Sequence, residues 1–205
     1  MNESENVESQ KSIISNLKEN LEQLDRNMNY SYKLLKFKFA SYLAQRRYVK
    51  KQPEQIHFNG IMNNSNFLVL MPENDVDFIN SFDLPKFLSI HKKNVTVVVA
   101  EYKFSSLVGR QSYKVHTFGL TEVTRLSLPT DSLVKKIDDT NYDVVIDMNR
   151  TVNIFFSALS NAVKSKIKIG FKKEDSDKFY NFQVVNNTVS PEVSYKNMIG
   201  SIQMF

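Results

Sequence analysis

Two short stretches of this 205-residue chain set polar side chains where a ligand could be handled. The first, YDVVIDMNR (Tyr142–Arg150), runs through Val144, Val145 and Ile146 and then delivers Asp147, Asn149 and Arg150. A β-branched run of this kind suits a strand covered on both faces. In open α/β sheets, ligands bind at the carboxyl ends of such strands. Asp147, Asn149 and Arg150 are therefore candidates to line a binding edge, against the plainer reading that Asp147 caps the helix after it. The second stretch, PENDVD (Pro72–Asp77), puts Asp75 and Asp77 just after the apolar run FLVLM. Acids there, with a strand-end Asp147, would suit a phosphoacceptor site. That chemistry also wants a strand-end Lys with a Pro behind it, and none follows KIKIGF (Lys166–Phe171).

Other chemistries are excluded more simply. The chain has no Cys, so it has no disulfide, thiolate metal site or cysteine nucleophile. His57, His91 and His116 are scattered and form no metal-binding pair. Neither G-x-G-x-x-G nor G-x-x-x-x-G-K-[ST] occurs, and no G-x-S-x-G elbow exists for a serine nucleophile. No cofactor and no metal are expected.

The elements that must position the candidates alternate between strand and helix. Phe67–Met71, Val95–Ala100, 143–147 and 166–170 read as adjacent strands of one mostly parallel sheet with helices on both faces. YKVHTFG, VTRLSL and FQVV are further strand candidates, with one of the first two an edge or a loop. Val76–Lys93 reads as a helix that Asp83 and Pro85 can start or restart. Residues 101–109 read as a short helix stopped by Gly109, and Thr130 and Ser190 as N-caps of later helices. The fold class is α/β, a single Rossmann-like, doubly wound sheet over residues 61–205.

Before residue 61 the chain changes character. Residues 1–10 are expected to be disordered, and 11–60 to form a basic, amphipathic helical extension broken near Arg26–Ser31 and ended by Pro53. Ile14, Leu17, Leu21, Leu24 and Met28 recur at helical steps over about two heptads, short of a coiled coil by themselves. Residues 1–25 hold six acidic and two basic side chains, whereas 30–51 hold seven basic and no acidic ones. Those seven are Lys33, Lys36, Lys38, Arg46, Arg47, Lys50 and Lys51. The expectation is that Leu35, Phe39, Tyr42 and Leu43 pack on the core, leaving the bases to a protein partner, a homodimer mate or an anionic membrane surface. Nucleic acid is the weakest reading, since no RNA-binding signature accompanies the segment. No stretch approaches the ~20 apolar residues of a spanning helix. The polar N-terminus carries no secretory signal, so a cytoplasmic protein, peripheral on the inner membrane face, is expected.

The ordered series YDVVIDMNR, apolar helix, KIKIGF, then FYNFQVV and a helix opening with Pro and Glu resembles the N-terminal domain of glycosyltransferase family 9, the heptosyltransferases of the lipopolysaccharide core. The resemblance covers about residues 65–205 and implies half of a GT-B fold. It puts Asp77, or alternatively Asp75, at the position of the family's base, and sends Asp147, Asn149 and Arg150 to the interdomain cleft. Val76 stands where the family has a turn Gly, and Met71 where it has a basic residue. The family's nucleotide-sugar domain would begin about where this chain ends. The resemblance thus implies a heptosyltransferase-like binding or assembly module in envelope polysaccharide metabolism, inactive on its own. The alternative is the acceptor-side subunit of a split or dimeric transferase using Asp77 as base.

Overall fold

The computed structural model describes residues 3–49, 60–107, 113–186 and 190–205, with side chains from residue 23 onward apart from that of Leu24. Two units are distinguished, residues 1–39 and 40–205. The described part of the first belongs to one long helix, α1 (Glu3–Tyr48). This helix starts inside the stretch expected to be disordered and runs unbroken through Arg26–Ser31. The Asn and Ser there weaken helix by fractions of a kcal/mol each, too little to interrupt a helix of this length. Pro53, Lys50, Lys51, His57 and Gly109 lie outside the described residues.

The second unit is built on six strands: β1 (Asn66–Leu70), β2 (Asn94–Ala100), β3 (Lys114–Phe118), β4 (Val144–Asp147), β5 (Ile167–Phe171) and β6 (Phe182–Val184). Their order is β3-β2-β1-β4-β5-β6 and every pairing is parallel. This is a Rossmann-like α/β sheet, and the expected adjacency of the four main strands holds. VTRLSL is not a strand. Its residues turn back through a single antiparallel bridge between Val123 and Pro129, with Ser127 at φ 58° inside the turn.

Both faces of the sheet are covered, and β1 shows how. Phe67 and Val69 face one core with Phe78, Leu84, Leu88, Tyr195, Met198 and Ile202, while Leu68 and Leu70 face a second with Leu133, Ile137, Phe155, Phe156 and Leu159. A strand's period of two sends successive side chains to opposite faces, so an unbroken apolar run is what such a strand needs. The first core lies under α2 (Asp75–Asn80), α3 (Asp83–Ile90) and α6 (Pro191–Met204). The second lies under α4 (Asp131–Ile137) and α5 (Ile154–Ala162). Thr130 caps α4 by accepting from the Leu133 N–H, as its position promised.

Within the second unit, α1 docks by a different face from the one expected. Ala40, Ser41, Ala44 and Tyr48 are buried, Leu43 is half-buried and Tyr42 is 54% exposed. Leu35 and Phe39, in the first unit, are also exposed. Ala40, Ala44 and Tyr48 recur at i, i+4 and i+8, one face of a helix, and the small side chains of the two alanines let backbone come close. The Arg47 guanidinium holds both carboxylate oxygens of Asp131 at 2.7 and 2.9 Å, at the start of α4.

Gly170 in β5 lies under the buried ring of Tyr180, and a Cβ there would sit 2.9 Å from ring carbons. Gly170→Ala is therefore expected to destabilise by about 1–3 kcal/mol through overpacking. A lowered urea midpoint with unchanged m-value would show it; an unchanged midpoint would mean that the ring is free to move.

Candidate functional site at the carboxyl edge of the central strands

Strand order reverses between β1 and β4, so their carboxyl ends form the switch point at which open α/β sheets bind ligands. The chain leaves β1 through Met71 and enters α2 by way of Asn74, whose side chain accepts from the Asp77 N–H at 3.1 Å. It leaves β4 at Asp147, whose Oδ1 accepts from the backbone N–H of Asn149 at 2.9 Å and from its Nδ2 at 2.7 Å. That turn aims the Asn149 carbonyl side chain back across the gap, where it accepts from the Glu73 N–H at 3.1 Å. Both exits from the sheet are thus stitched together.

The charged groups are paired in two clusters. Asp147 is fully buried, and its Oδ2 accepts from Lys173 Nζ at 3.0 Å and from the Tyr180 hydroxyl. Lys173 also donates to the Asn149 carbonyl at 2.8 Å, and Ser157 of α5 lies 2.9 Å from the Tyr180 hydroxyl. Burial first, then the Asp147 charge, pushes the Tyr180 phenol well above its ordinary range. In the second cluster Arg150 Nε donates to Asp77 Oδ1 at 2.8 Å, with the Asp77 side chain 4% and the Arg150 side chain 19% exposed. Arg150 reaches Ser194 of α6 as well, and Tyr195 donates to the Met148 carbonyl at 2.9 Å. Burial, followed by the Asp77 charge, raises the Tyr195 phenol far above its usual value.

The candidates Asp77, Asp147, Asn149 and Arg150 therefore meet along one edge. Asp75 does not join them: it is solvent-facing and pairs at 2.7 Å with the buried Lys103, which also donates to the Glu73 carbonyl. Asp147 turns toward Lys173 and Tyr180 rather than toward Asp77. It orders its own turn and does not cap α5, a task that falls to Asn153. Sequence reasoning missed Lys173, Tyr180, Lys103 and Asn153. Lys173 has a usable signal: it comes two residues after the end of β5, a strand-end Lys without a following proline.

Of the basic surface candidates, Lys33, Lys38, Arg46 and Arg47 are exposed and Lys36 is half-buried. Arg46 donates to the Tyr42 hydroxyl at 3.2 Å. No helix among the described residues is long and apolar enough to cross a membrane. Among them, no group of His, Cys, Asp and Glu is arranged to hold a metal ion.

Residues 32–199, a span that includes every edge residue named above, match a family of unknown function, DUF6913. The chain belongs to this family. No curated protein and no solved structure matches it. The edge geometry of this DUF6913 chain has two measurable consequences. Asp147→Asn would leave the buried Lys173 ammonium without its anion, costing about 3–5 kcal/mol. Adding Lys173→Met should recover part of that loss, a coupling of about 0.5–3 kcal/mol in a double-mutant cycle; strict additivity would show that the pair does not interact.

The second consequence is alkaline. Tyr180 and Tyr195 have folded pKa values raised above the unfolded value of about 10, so the unfolded chain loses protons first as pH rises. Their contribution to stability is complete below pH ~10 and is lost as pH climbs beyond it. Unfolding followed against pH should show stability falling above that point, and less steeply in Tyr180→Phe. An identical slope in that variant would assign the alkaline loss to other groups.

Proposed function

We propose that this chain is a non-catalytic, Rossmann-like domain of the family 9 glycosyltransferase N-terminal type, serving as a binding or assembly module in envelope polysaccharide metabolism on the cytoplasmic face of the membrane. The likeness in element order supports the family half of this reading. YDVVIDMNR, the apolar helix and KIKIGF fold as β4, α5 and β5, and Asp77 falls in the first turn of α2. Likeness of fold carries no activity with it.

The single observation that carries the non-catalytic half is the state of Asp77. A general base must come within about 2.6–3.2 Å of the proton it takes. The Asp77 carboxylate is 4% exposed and occupied by Arg150, and the neighbouring Asp147 is wholly buried under Lys173 and Tyr180. These acids hold the edge together instead of facing a substrate.

The test offers ADP-, GDP- and UDP-activated sugars to the full chain and follows release of nucleoside diphosphate. No release above buffer is expected. Asp77→Asn should instead lower stability by about 3 kcal/mol, since it leaves Arg150 without its anion. Release that Asp77→Asn abolishes, with the fold intact, would reverse the assignment in favour of an acceptor-side subunit with Asp77 as its base.

A further inference from the structure

We infer that the chain self-associates through α1, which pairs with the same helix of a second copy in an antiparallel coiled coil. The continuity of α1 through Arg26–Ser31 opens this possibility, because it joins two apolar series that are each too short to specify a partner. The five apolar positions from Ile14 to Met28 are spaced three, four, three and four. Past Met28 the series continues through Tyr32, Leu35, Phe39 and Tyr42, spaced four, three, four and three. At 3.6 residues per turn all these positions share an arc of roughly 80°. Together they span about four heptads, the length at which a coiled coil is specified, with one four-four step at Met28 that locally unwinds the supercoil.

The described part of this line is bare. Met28 is 67% exposed, Tyr32 and Leu35 are each 68%, Phe39 is 51% and Tyr42 is 54%. Large apolar side chains in one unbroken row form a patch rather than scatter, and such patches mark interaction sites. Each aromatic ring can bury about 150–250 Å². With the aliphatic positions, the row can supply the ~800 Å² per partner of a standard interface.

Charge selects the occupant. The row is narrow, like the seam of a coiled coil, where helices packed on a broad surface carry a wider apolar stripe. Its first half lies among residues 1–25, with six acids and two bases, which an anionic lipid surface repels. A parallel second copy would set the five bases in the latter part of α1 (Lys33, Lys36, Lys38, Arg46 and Arg47) beside the same five. An antiparallel copy sets them beside the acid-rich half.

The spacing is self-complementary in the same sense. It reads identically from either end about Met28, so Ile14 of one copy falls level with Tyr42 of the other, Leu21 with Leu35, and Met28 with Met28. A two-fold axis at Met28 satisfies both copies at once, as an isologous interface requires. Lys18 comes beside Lys36 in this register, a local like-charge cost set against attraction along the whole segment.

Sedimentation equilibrium of the full chain should return twice its 23.8 kDa mass. Leu35→Glu should return a single-chain mass with the thermal transition of the sheet domain unchanged, since Leu35 is exposed on its helix. The chain has no cysteine of its own, so introduced ones report orientation. A mixture of Leu21→Cys and Leu35→Cys chains should form a disulfide between the two variants. Leu35→Cys alone should form none, its two copies lying roughly 21 Å apart along the axis. A single-chain mass across the loading range, or a dimer indifferent to Leu35→Glu, overturns the inference. Co-sedimentation of a monomer with phosphatidylserine vesicles overturns it in favour of a membrane surface, and a Leu35→Cys self-disulfide overturns the antiparallel arrangement.

Discussion

The buried carboxylate of Asp147 is the constraint around which the rest of the edge is arranged. It ends β4, the strand beside β1 at the middle of the sheet, and solvent does not reach it. A carboxylate deprived of water costs several kcal/mol unless charge and hydrogen bonds replace the hydration. Four donors do so: the Asn149 backbone N–H and side-chain amide on one oxygen, Lys173 and Tyr180 on the other. Because these donors come from the β4 exit and from beyond β5, satisfying one charge fixes the relative position of two crossovers.

The same economy extends outward. Lys173 needs more than one acceptor, and takes the Asn149 carbonyl. Tyr180 must lie flat on β5 to reach Asp147, which only a residue without Cβ allows, hence Gly170 beneath it. Asn149 then spans to the backbone of Glu73, and Glu73 to Asn153 at the head of α5. Beside this network, Asp77 and Arg150 join α2 to the end of β4, and Ser194 brings in α6. Polar side chains that an open switch point would present to a ligand are here consumed in closing it.

How much of this could be read in the sequence follows from how local each signal is. The strands around Leu68, Val97 and Val145 announce themselves by nearly unbroken apolar or β-branched runs, and the one around Ile169 by alternation, each between helix signals. The restart at Asp83 and the cap at Thr130 are likewise properties of a few neighbouring residues. That Asp77, Asp147, Asn149 and Arg150 would share an edge followed from topology alone. Their partners did not, because Lys173 and Asp147 are 26 residues apart and meet only once β4 and β5 are paired. The buried face of α1 is faint in the sequence for another reason: Ala40 and Ala44 give a weak apolar signal, and the bulky Phe39 and Tyr42 lie on the opposite side.

The two faces of α1 bear on where this molecule can act. Exposed apolar residues occurring singly are ordinary, whereas buried polar groups and contiguous exposed apolar rows are informative. The sheet edge shows the first kind of feature with its groups already partnered; α1 shows the second, bare from Met28 to Tyr42. A helix of 46 residues cannot be sustained by propensity alone in most sequences, since the stability of helices in proteins comes chiefly from packing an apolar face. Among the described side chains of α1, those buried lie at Ala40–Tyr48. Among the described side chains, Met28, Tyr32, Leu35, Phe39 and Tyr42 stay in water, at a cost of about 25 cal/mol for each Å² that could be covered. A second helix laid along the row removes that cost, and it does so with residues that take no part in the hydrogen bonds and ion pairs of the sheet edge.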